Sequence, residues 1–412
     1  MSNKVKTTAM KNEPTPALTP KLRFPEFRDA AGWEKQTLSF ACQMQAGKFV
    51  SASEIKEQNA QGLYPCYGGN GLRGYTATFT HSGKYSLIGR QGALCGNVKM
   101  GVGQFHATEH AVVVTPKSGI KGDWLFYLLD LLNLNRFATG QAQPGLSVDV
   151  LEKLPIAIPL EPPEQQKIAD SLSSVDELIT AQARKVDALK THKKGLMQQL
   201  FPREGETQPR FRFPEFEDAG EWVETTIGQL GDVVTGSTPS TARPEYYGGD
   251  RMFVSPSDIS DGRFIEKTKT TLTALGFEET RPIKANSILF VCIGSTIGKI
   301  AQSRHECATN QQINSVVPNS NNDHGFVYYA LSGMADEIAN LAGRQAVPIV
   351  NKSLFSSVGL LVPKPPEQQR IADCLTSLDD LIAAQTQKLA ALKTHKQGLM
   401  QQLFPTPEEI EA

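Results

Sequence analysis

Residues 162–202 read PPEQQKIADSLSSVDELITAQARKVDALKTHKKGLMQQLFP, and residues 365–405 read PPEQQRIADCLTSLDDLIAAQTQKLAALKTHKQGLMQQLFP. The two stretches are identical at 30 of 41 positions, with no gap. A shorter match precedes each copy, because RFPEF occurs at residues 23–27 and again at residues 212–216. The chain is therefore a duplication, in which a long module is followed each time by the same segment.

Each copy of the segment has the heptad spacing of a helix with one apolar seam, since apolar residues recur at alternating steps of four and three. Prolines stand at both ends of each copy and suit a helix start and a helix stop. The pattern predicts two helices, each roughly 55 Å long. The predicted seam residues are Ile168, Leu172, Val175, Ile179, Val186 and Leu189 in the first copy, and Ile371, Leu375, Leu378, Ile382, Leu389 and Leu392 in the second, with Gln182, Lys193, Gln385 and Lys396 at the polar seam positions.

A seam this narrow needs a partner helix, and the nearest candidate is the other copy in the same chain. Two repeats favour a pseudo-two-fold arrangement, which would make the helices antiparallel and set the two modules far apart. In the alternative arrangement, each helix packs only on its own module.

The bulk composition is that of a globular protein with more than one domain, since 412 residues exceed one compact core. No apolar run is long enough to span a membrane, and residues 1–20 are predicted to form a disordered tail rather than a secretory signal. The six cysteines form no C-x-x-C pair, which argues against a zinc ribbon and fits a reducing cytoplasm. The formal net charge of −1 argues against wholesale coating of nucleic acid.

The two modules share a skeleton of short strands and glycine turns but few residues. Both contain G-x-x-x-G between apolar runs, at Gly92–Gly96 and at Gly294–Gly298. A helical stretch follows in each, at Trp124–Phe137 and at Phe326–Leu341. The pattern predicts an α+β fold for both modules.

Two motifs suggest chemistry that their context argues against. Residues 106–110 fit H-x-x-E-H, but that metal site needs a helix, and the flanking glycines and valines favour a strand. Residues 294–300 resemble a phosphate loop, but only three residues separate the glycines and Ile300 follows the lysine, so a β-turn is favoured. No metal site and no catalytic residues are predicted.

The duplicated P-P-E-Q-Q-[KR]-I-A-D, the closing G-L-M-Q-Q-L-F-P and the module opening R-F-P-E-F resemble the DNA specificity subunit of type I restriction-modification systems. Residues 67–71 (YGGNG), residues 308–314 (ATNQQIN) and Leu289-Phe290 are also similar to that family. The resemblance covers nearly the whole chain.

The resemblance implies two α/β target recognition domains separated by two long antiparallel coiled-coil helices with pseudo-two-fold symmetry. Each domain would read one half of a split site in double-stranded DNA for partner methyltransferase and nuclease subunits. The implied partners are two methyltransferase subunits, with two translocating nuclease subunits as an optional addition, in the cytoplasm and without a membrane. This chain would hold no cofactor, since S-adenosylmethionine, ATP and Mg²⁺ belong to the partner subunits.

The implied division of the chain has seven parts. They are a disordered tail at 1–20, target recognition domain 1 at 21–159, spacer helix 1 at 160–202, a linker at 203–210, target recognition domain 2 at 211–362, spacer helix 2 at 363–405, and a tail at 406–412.

Side chains that could read base edges are concentrated in predicted turns, because Arg, Lys, Asn and Gln match the donors and acceptors of the major groove. The candidates are Tyr67, Asn70, Arg73, Arg90, Gln91, Asn97, Lys99, Gln141 and Gln143 in the first module, and Ser255, Ser257, Asn310, Gln311, Arg344 and Gln345 in the second.

Module charge leaves DNA binding open. Residues 21–155 hold 14 basic and 10 acidic side chains (+4), and residues 210–360 hold 13 basic and 17 acidic side chains (−4). Two other functions remain open at this point. One is a coiled-coil scaffold that joins other proteins without binding DNA, and the other is an enzyme that uses the His106–His110 cluster.

Overall fold

The structure, a computed structural model, consists of two compact units. Unit one comprises residues 1–181 and 389–412, and unit two comprises residues 182–388. The structure describes residues 18–140, 144–203, 205–260, 262–343, 347–406 and 410.

A six-stranded sheet forms the centre of unit one. Its strand order is β2-β7-β5-β6-β3-β4, and every neighbouring pair is antiparallel except β3 and β6. Strands β1 and β8 form a separate antiparallel pair. The strands are Glu34–Thr37 (β1), Cys42–Ala46 (β2), Tyr64–Gly68 (β3), Gly71–Thr76 (β4), His81–Gly89 (β5), Val98–Ala107 (β6), Ala111–Pro116 (β7) and Pro155–Ile158 (β8).

Both faces of this sheet are buried, because alternate residues of a strand point to opposite sides. Val112 and Val114 of β7 pack into the main core of the unit, whereas Ala111 and Val113 pack into a smaller cluster around Phe105. The continuous valine run in the sequence is thus explained by burial on both sides.

The helices of unit one cover the main core. Leu38–Ala41 (α1), Gly122–Leu131 (α2) and Val148–Glu152 (α3) precede the long helix Pro162–Leu200 (α4), of which residues 162–181 belong to this unit. The helical stretch predicted at Trp124–Phe137 is interrupted. Asn133 takes a left-handed conformation with φ +47°, so a separate 3-10 turn, Leu134–Phe137, follows α2.

Unit two has the same kind of layout with different details. Its sheets have the orders β10-β17-β14-β15-β12, β13-β11-β16 and β18-β9. The strands are Val223–Thr226 (β9), Gly231–Thr235 (β10), Tyr247–Val254 (β11), Phe264–Ile265 (β12), Thr270–Leu272 (β13), Ile288–Val291 (β14), Ile300–Ser303 (β15), Ala308–Thr309 (β16), Ile313–Pro318 (β17) and Gly359–Val362 (β18).

The helices of unit two are Ile227–Leu230 (α5), Ala274–Glu278 (α6), His324–Gly333 (α7), Ala335–Asn340 (α8), Lys352–Ser357 (α9) and the long helix Pro365–Leu403 (α10), of which residues 365–388 belong to this unit. The stretch predicted at Phe326–Leu341 is two helices, because the chain leaves helical geometry at Met334. Mixed helices and mainly antiparallel sheets in both units confirm the α+β prediction.

The two predicted long helices are present, and each is 39 residues long. Within unit one, Lys396 near the end of α10 forms an ion pair with Asp176 in the first half of α4. Within unit two, Lys193 near the end of α4 pairs with Asp379, and the Gln182 side chain donates to Gln385. The helix segments inside each unit therefore run antiparallel.

The seam residues are buried or half-buried in both helices. Ile168, Leu172, Gln182, Val186, Ile371 and Leu375 are buried, whereas Val175, Ile179, Leu189, Lys193, Leu378, Ile382, Gln385, Leu389, Leu392 and Lys396 are half-buried. The helix ends also complete the cores, since Met400, Leu403 and Phe404 lie in the core of unit one. The alternative, in which each helix packs only on the module before it, is therefore wrong.

A buried carboxylate fixes the start of each long helix to its module. In unit one, Arg23 donates two hydrogen bonds of 2.8 Å to Glu164, and the Trp33 indole donates a third of 3.2 Å. Glu164 is 1% exposed. In unit two, Arg212, Trp222 and Glu367 make the same three contacts, at 2.7, 2.7 and 3.3 Å.

We expect Glu164→Gln to lower the free energy of unfolding of unit one by about 3 kcal/mol, because the largely buried Arg23 guanidinium would lose its countercharge. Hydrogen exchange followed by mass spectrometry measures this loss, since it reports on each unit separately. Glu177→Gln on the exposed side of α4 is the matched control. Equal protection of unit one in the two variants would contradict the prediction.

Candidate nucleic-acid interface

Three turns of unit one meet at one edge of its sheet. They are the β3–β4 turn (Gly68–Gly71), the β5–β6 connection (Gly89–Asn97) and the β6–β7 turn (Thr108–His110). The Arg90 amide donates to the His110 carbonyl at 2.8 Å, and the Thr108 amide donates to the Tyr67 carbonyl at 2.9 Å. Backbone hydrogen bonds thus hold the three turns together.

Glycine is required where these turns touch. A Cβ atom on Gly89 would lie 1.9 Å from the Gly69 carbonyl oxygen. Gly92 and Gly96 both have φ +86°, and their counterparts Gly294 and Gly298 in unit two have φ +95° and +93°. The shared G-x-x-x-G spacing therefore marks two left-handed glycines in a tight turn, and the turn interpretation of residues 294–298 is confirmed.

The three turns enclose an open groove of about 470 Å³. It is lined by Gly68, Gly69, Asn70, Gly71, Leu72, Arg73, Gln91, Gly92 and His110. The glycines let backbone approach a ligand closely, and the polar side chains supply donors and acceptors along one strip.

Three of the candidate readers of unit one, Asn70, Arg73 and Gln91, line this groove and are exposed. Two more lie beside them. The Asn97 amide donates to the Asn70 side chain at 3.3 Å, and the exposed Lys99 chain passes over Gly71. The structure thus brings five of the candidates together.

The other two described candidates of unit one have different surroundings. The Tyr67 ring packs edge-on against Phe105 at 5.6 Å, and burial raises the pKa of its hydroxyl. Tyr67 therefore forms part of the apolar cluster beneath the groove. Arg90 is half-exposed, and its carbonyl accepts from the Leu146 amide at 2.9 Å.

In unit two the candidate readers hold one another in place. Ser255 donates to Asp258 at 2.7 Å and lies 3.0 Å from the Ser257 hydroxyl. The backbone amide of Asn310 donates to the Val254 carbonyl at 3.0 Å, which joins the end of β11 to the turn after β16. Hydroxyl and amide groups thus occupy this edge.

Gln311 ties a third segment to the same edge, because its side chain accepts a 2.6 Å hydrogen bond from Thr238. Asn310 is half-exposed and Gln311 is exposed. Four further candidates, Gln141, Gln143, Arg344 and Gln345, lie outside the described residues.

The residues of the H-x-x-E-H motif have separate roles. His106 lies in strand β6, as the flanking residues predicted, and its ring contacts the Thr78 hydroxyl and the Lys48 carbonyl. His110 lies at the groove, 3.1 Å from the Glu109 carboxylate. Within the described ranges, no three His, Cys, Asp or Glu side chains are grouped so that they could hold a metal ion.

Three of the buried thiols are poor nucleophiles at neutral pH. All six cysteines are free and only Cys374 is not buried. Burial raises the pKa of Cys42, Cys292 and Cys307 to about 12, so these thiols stay protonated.

Among the helices of the described ranges, none is long and apolar enough to cross a membrane.

Sequence reasoning missed several residues of this region. Lys48 and Phe49 lie exposed in the segment after β2, Leu72 lies exposed in β4 along the groove, and Leu94 lies exposed in the β5–β6 connection. A search for hydrogen-bonding side chains passes over apolar ones. For Lys48 and Phe49, the sequence signal is the preceding residue, Gly47, which aligns with Gly236 after the equivalent strand of the second module.

Comparison with known proteins gives one family. The model for the type I restriction modification DNA specificity domain matches residues 31–191 and, a second time, residues 219–394. A solved S subunit of a type I restriction-modification system from M. genitalium superposes with a TM-score of 0.65, covering 94% of this chain and 100% of that chain at 18% identity, which shows a shared fold.

Two curated relatives are more similar in sequence over shorter regions. The chain is 48% identical over 132 residues to the EcoprrI specificity subunit of Escherichia coli, covering 32% of this chain and 33% of that protein. It is 32% identical over 147 residues to the HindI specificity subunit of Haemophilus influenzae, covering 34% of this chain and 32% of that protein. The matches thus span about a third of the length of these relatives.

We expect Gly89→Ala to destabilise unit one by roughly 1–3 kcal/mol, because the new methyl group would force the β3–β4 turn away from the β5–β6 connection. Gly145→Ala is the matched control, since its Cβ would meet only the Arg90 carbonyl, at 3.7 Å. Thermal unfolding measures both. Equal melting temperatures for the two variants would show that the turns do not depend on this contact.

Proposed function

The chain belongs to the type I restriction modification DNA specificity family, and from this we propose that it is the subunit that reads the DNA target, with each unit recognising one half of a bipartite sequence. The observation that carries the proposal is the double match of the family model, once per module. A duplicated frame with unlike turns is what two different half-sites require.

The groove chemistry of unit one supports base reading. Arg73, Gln91 and Asn70 offer the donors and acceptors that pair with guanine and adenine edges in the major groove. Their positions on turns that are held by backbone hydrogen bonds limit the conformational freedom lost on binding.

Unit two presents a different set of groups at the equivalent edge. Asn310 and Gln311 stand where unit one has Glu109 and His110, and Ser255 adds a hydroxyl. Because the donors and acceptors differ, the two units would prefer different bases. This supports a target with two unlike halves.

The net charge of the second module indicates that other subunits contribute to DNA binding. The second module carries a net charge of −4 over residues 210–360, so it cannot hold DNA by phosphate contacts alone. Two methyltransferase subunits would supply those contacts and the methyl transfer, with S-adenosylmethionine as their cofactor. Two nuclease subunits that use ATP and Mg²⁺ are the optional addition, and this chain would act in the cytoplasm without a catalytic step of its own.

The long helices offer a place for such partners. Leu178 on α4 is 57% exposed, and Leu381, at the equivalent position of α10, is 42% exposed. Both lie outside the seam, so each helix keeps an apolar residue for a partner surface. The alternative function is a scaffold that joins proteins through these helices without reading DNA.

Exchanging one module separates the two functions. We expect that replacing residues 21–159 with the matching module of another member of the family changes one half of the methylated sequence and leaves the other half unchanged. Methylation-sensitive sequencing of the host genome measures the outcome. A methylated sequence that is unaffected by the exchange would favour the scaffold.

We expect Arg73→Ala to weaken discrimination in one half-site by roughly 1–3 kcal/mol, because a groove contact to a base would be lost. Selection from a pool of randomised duplexes, followed by competition binding, measures the effect base by base. Arg28→Ala, which removes the same charge from an exposed position outside the groove, is the control. A variant that keeps full preference at every base would remove Arg73 from the reading set.

A further inference from the structure

The segment after β2 carries an exposed aromatic side chain beside the groove turns of unit one. Phe49 is 76% exposed, whereas the next residue, Val50, is 7% exposed and anchors the segment. Lys48 on the other side is exposed as well. A large apolar group and a cation thus face solvent together.

Three hydrogen bonds hold this segment in place, and a fourth orients the histidine that makes one of them. The Gly47 amide donates to the Ala111 carbonyl at 2.9 Å, and the Lys48 amide donates to the Ala107 carbonyl at 2.8 Å. His106, which is 5% exposed, donates from Nε2 to the Lys48 carbonyl at 3.0 Å, and in its neutral form accepts at Nδ1 from Thr78 at 2.9 Å. The exposure of Phe49 is therefore a property of an ordered backbone.

The same short stretch of chain, residues 107–111, also holds the groove turns. Thr108 bonds to Tyr67 at the start of the β3–β4 turn, and His110 bonds to Arg90 in the β5–β6 connection. Gly47 must be glycine for this approach, since its Cβ would lie 2.2 Å from the Ala107 oxygen. The Lys48–Phe49 pair is thus a fourth element at the candidate interface.

Unit two lacks this apolar feature at the equivalent positions. Thr238 stands where unit one has Phe49, and its hydroxyl is bonded to Gln311. Thr296 stands where unit one has Leu94, which is 49% exposed. Leu72, which lies in β4 and lines the groove, is 53% exposed. At the positions of Phe49 and Leu94, unit one is therefore apolar where unit two has threonine.

We infer that Phe49 is a specificity-determining residue, which contacts the C5-methyl group of a thymine in the half-site read by unit one. Lys48 then lies at the neighbouring phosphate. This inference rests on the proposed function. In the major groove only thymine presents a methyl group, and an apolar side chain is the matching reader. Hydrogen-bonding side chains of the groove would read the remaining bases.

Uracil tests this contact because it lacks only the methyl group. The full-length chain, purified in complex with its native partner subunits, first selects its target from a randomised duplex pool. Each thymine of that target is then replaced by deoxyuridine in turn. For the wild type, one replacement should weaken binding roughly fourfold, the value of one buried methyl group. For Phe49→Ala the same replacement should change nothing.

Two variants sharpen the experiment. Phe49→Leu keeps an apolar contact and should retain most of the uracil penalty. Phe40→Ala removes another exposed aromatic, 53% exposed in α1 at the opposite end of β2, and should behave as the wild type. Two results would overturn the assignment of Phe49 and leave the proposed function standing. One is a uracil penalty that survives in Phe49→Ala, and the other is a wild type with no penalty at any thymine. A wild type that selects no bipartite sequence overturns the proposed function itself.

Discussion

The structure depends on a carboxylate that is buried at the start of each long helix. Glu164 and Glu367 are almost fully removed from water, and each accepts from an arginine and a tryptophan of the module that precedes it. A buried charge is tolerated only when its partners are complete, so the pair allows one orientation of module and helix. The same three residue types make this contact in both units, although the turns at the candidate interface have diverged.

A second set of contacts ties the helices to the modules through polar seam positions. In unit one, Lys396 pairs with Asp176, which also accepts from the Tyr127 hydroxyl at 2.8 Å. In unit two, Lys193, Asp379 and Tyr329 repeat the arrangement. Lysine in an apolar seam lowers stability but specifies a register, since it must meet its carboxylate. These contacts are thus the same in both units, although the modules share few other residues.

The sequence predicts much of this fold because periodicity and duplication are local signals. The heptad spacing predicts both helices, and the G-x-x-x-G spacing predicts the turns. The interruptions at Asn133 and Met334 were not predictable, because the apolar pattern continues through them. The exposure of Phe49 was not predictable either, because it depends on hydrogen bonds between its segment and residues about 60 positions later in the chain. The contact among arginine, glutamate and tryptophan was visible in the sequence only as residues that recur in both modules.

The last turns of α10 have a consequence for the order in which the protein matures. Met400, Leu403 and Phe404 complete the core around Trp33 and Trp124, at the other end of the polypeptide. During synthesis, the first module leaves the ribosome hundreds of residues before these side chains exist. The middle of the chain already holds every segment of its own core. Synthesis therefore completes unit two before unit one, and an early stop codon would damage the module that was made first.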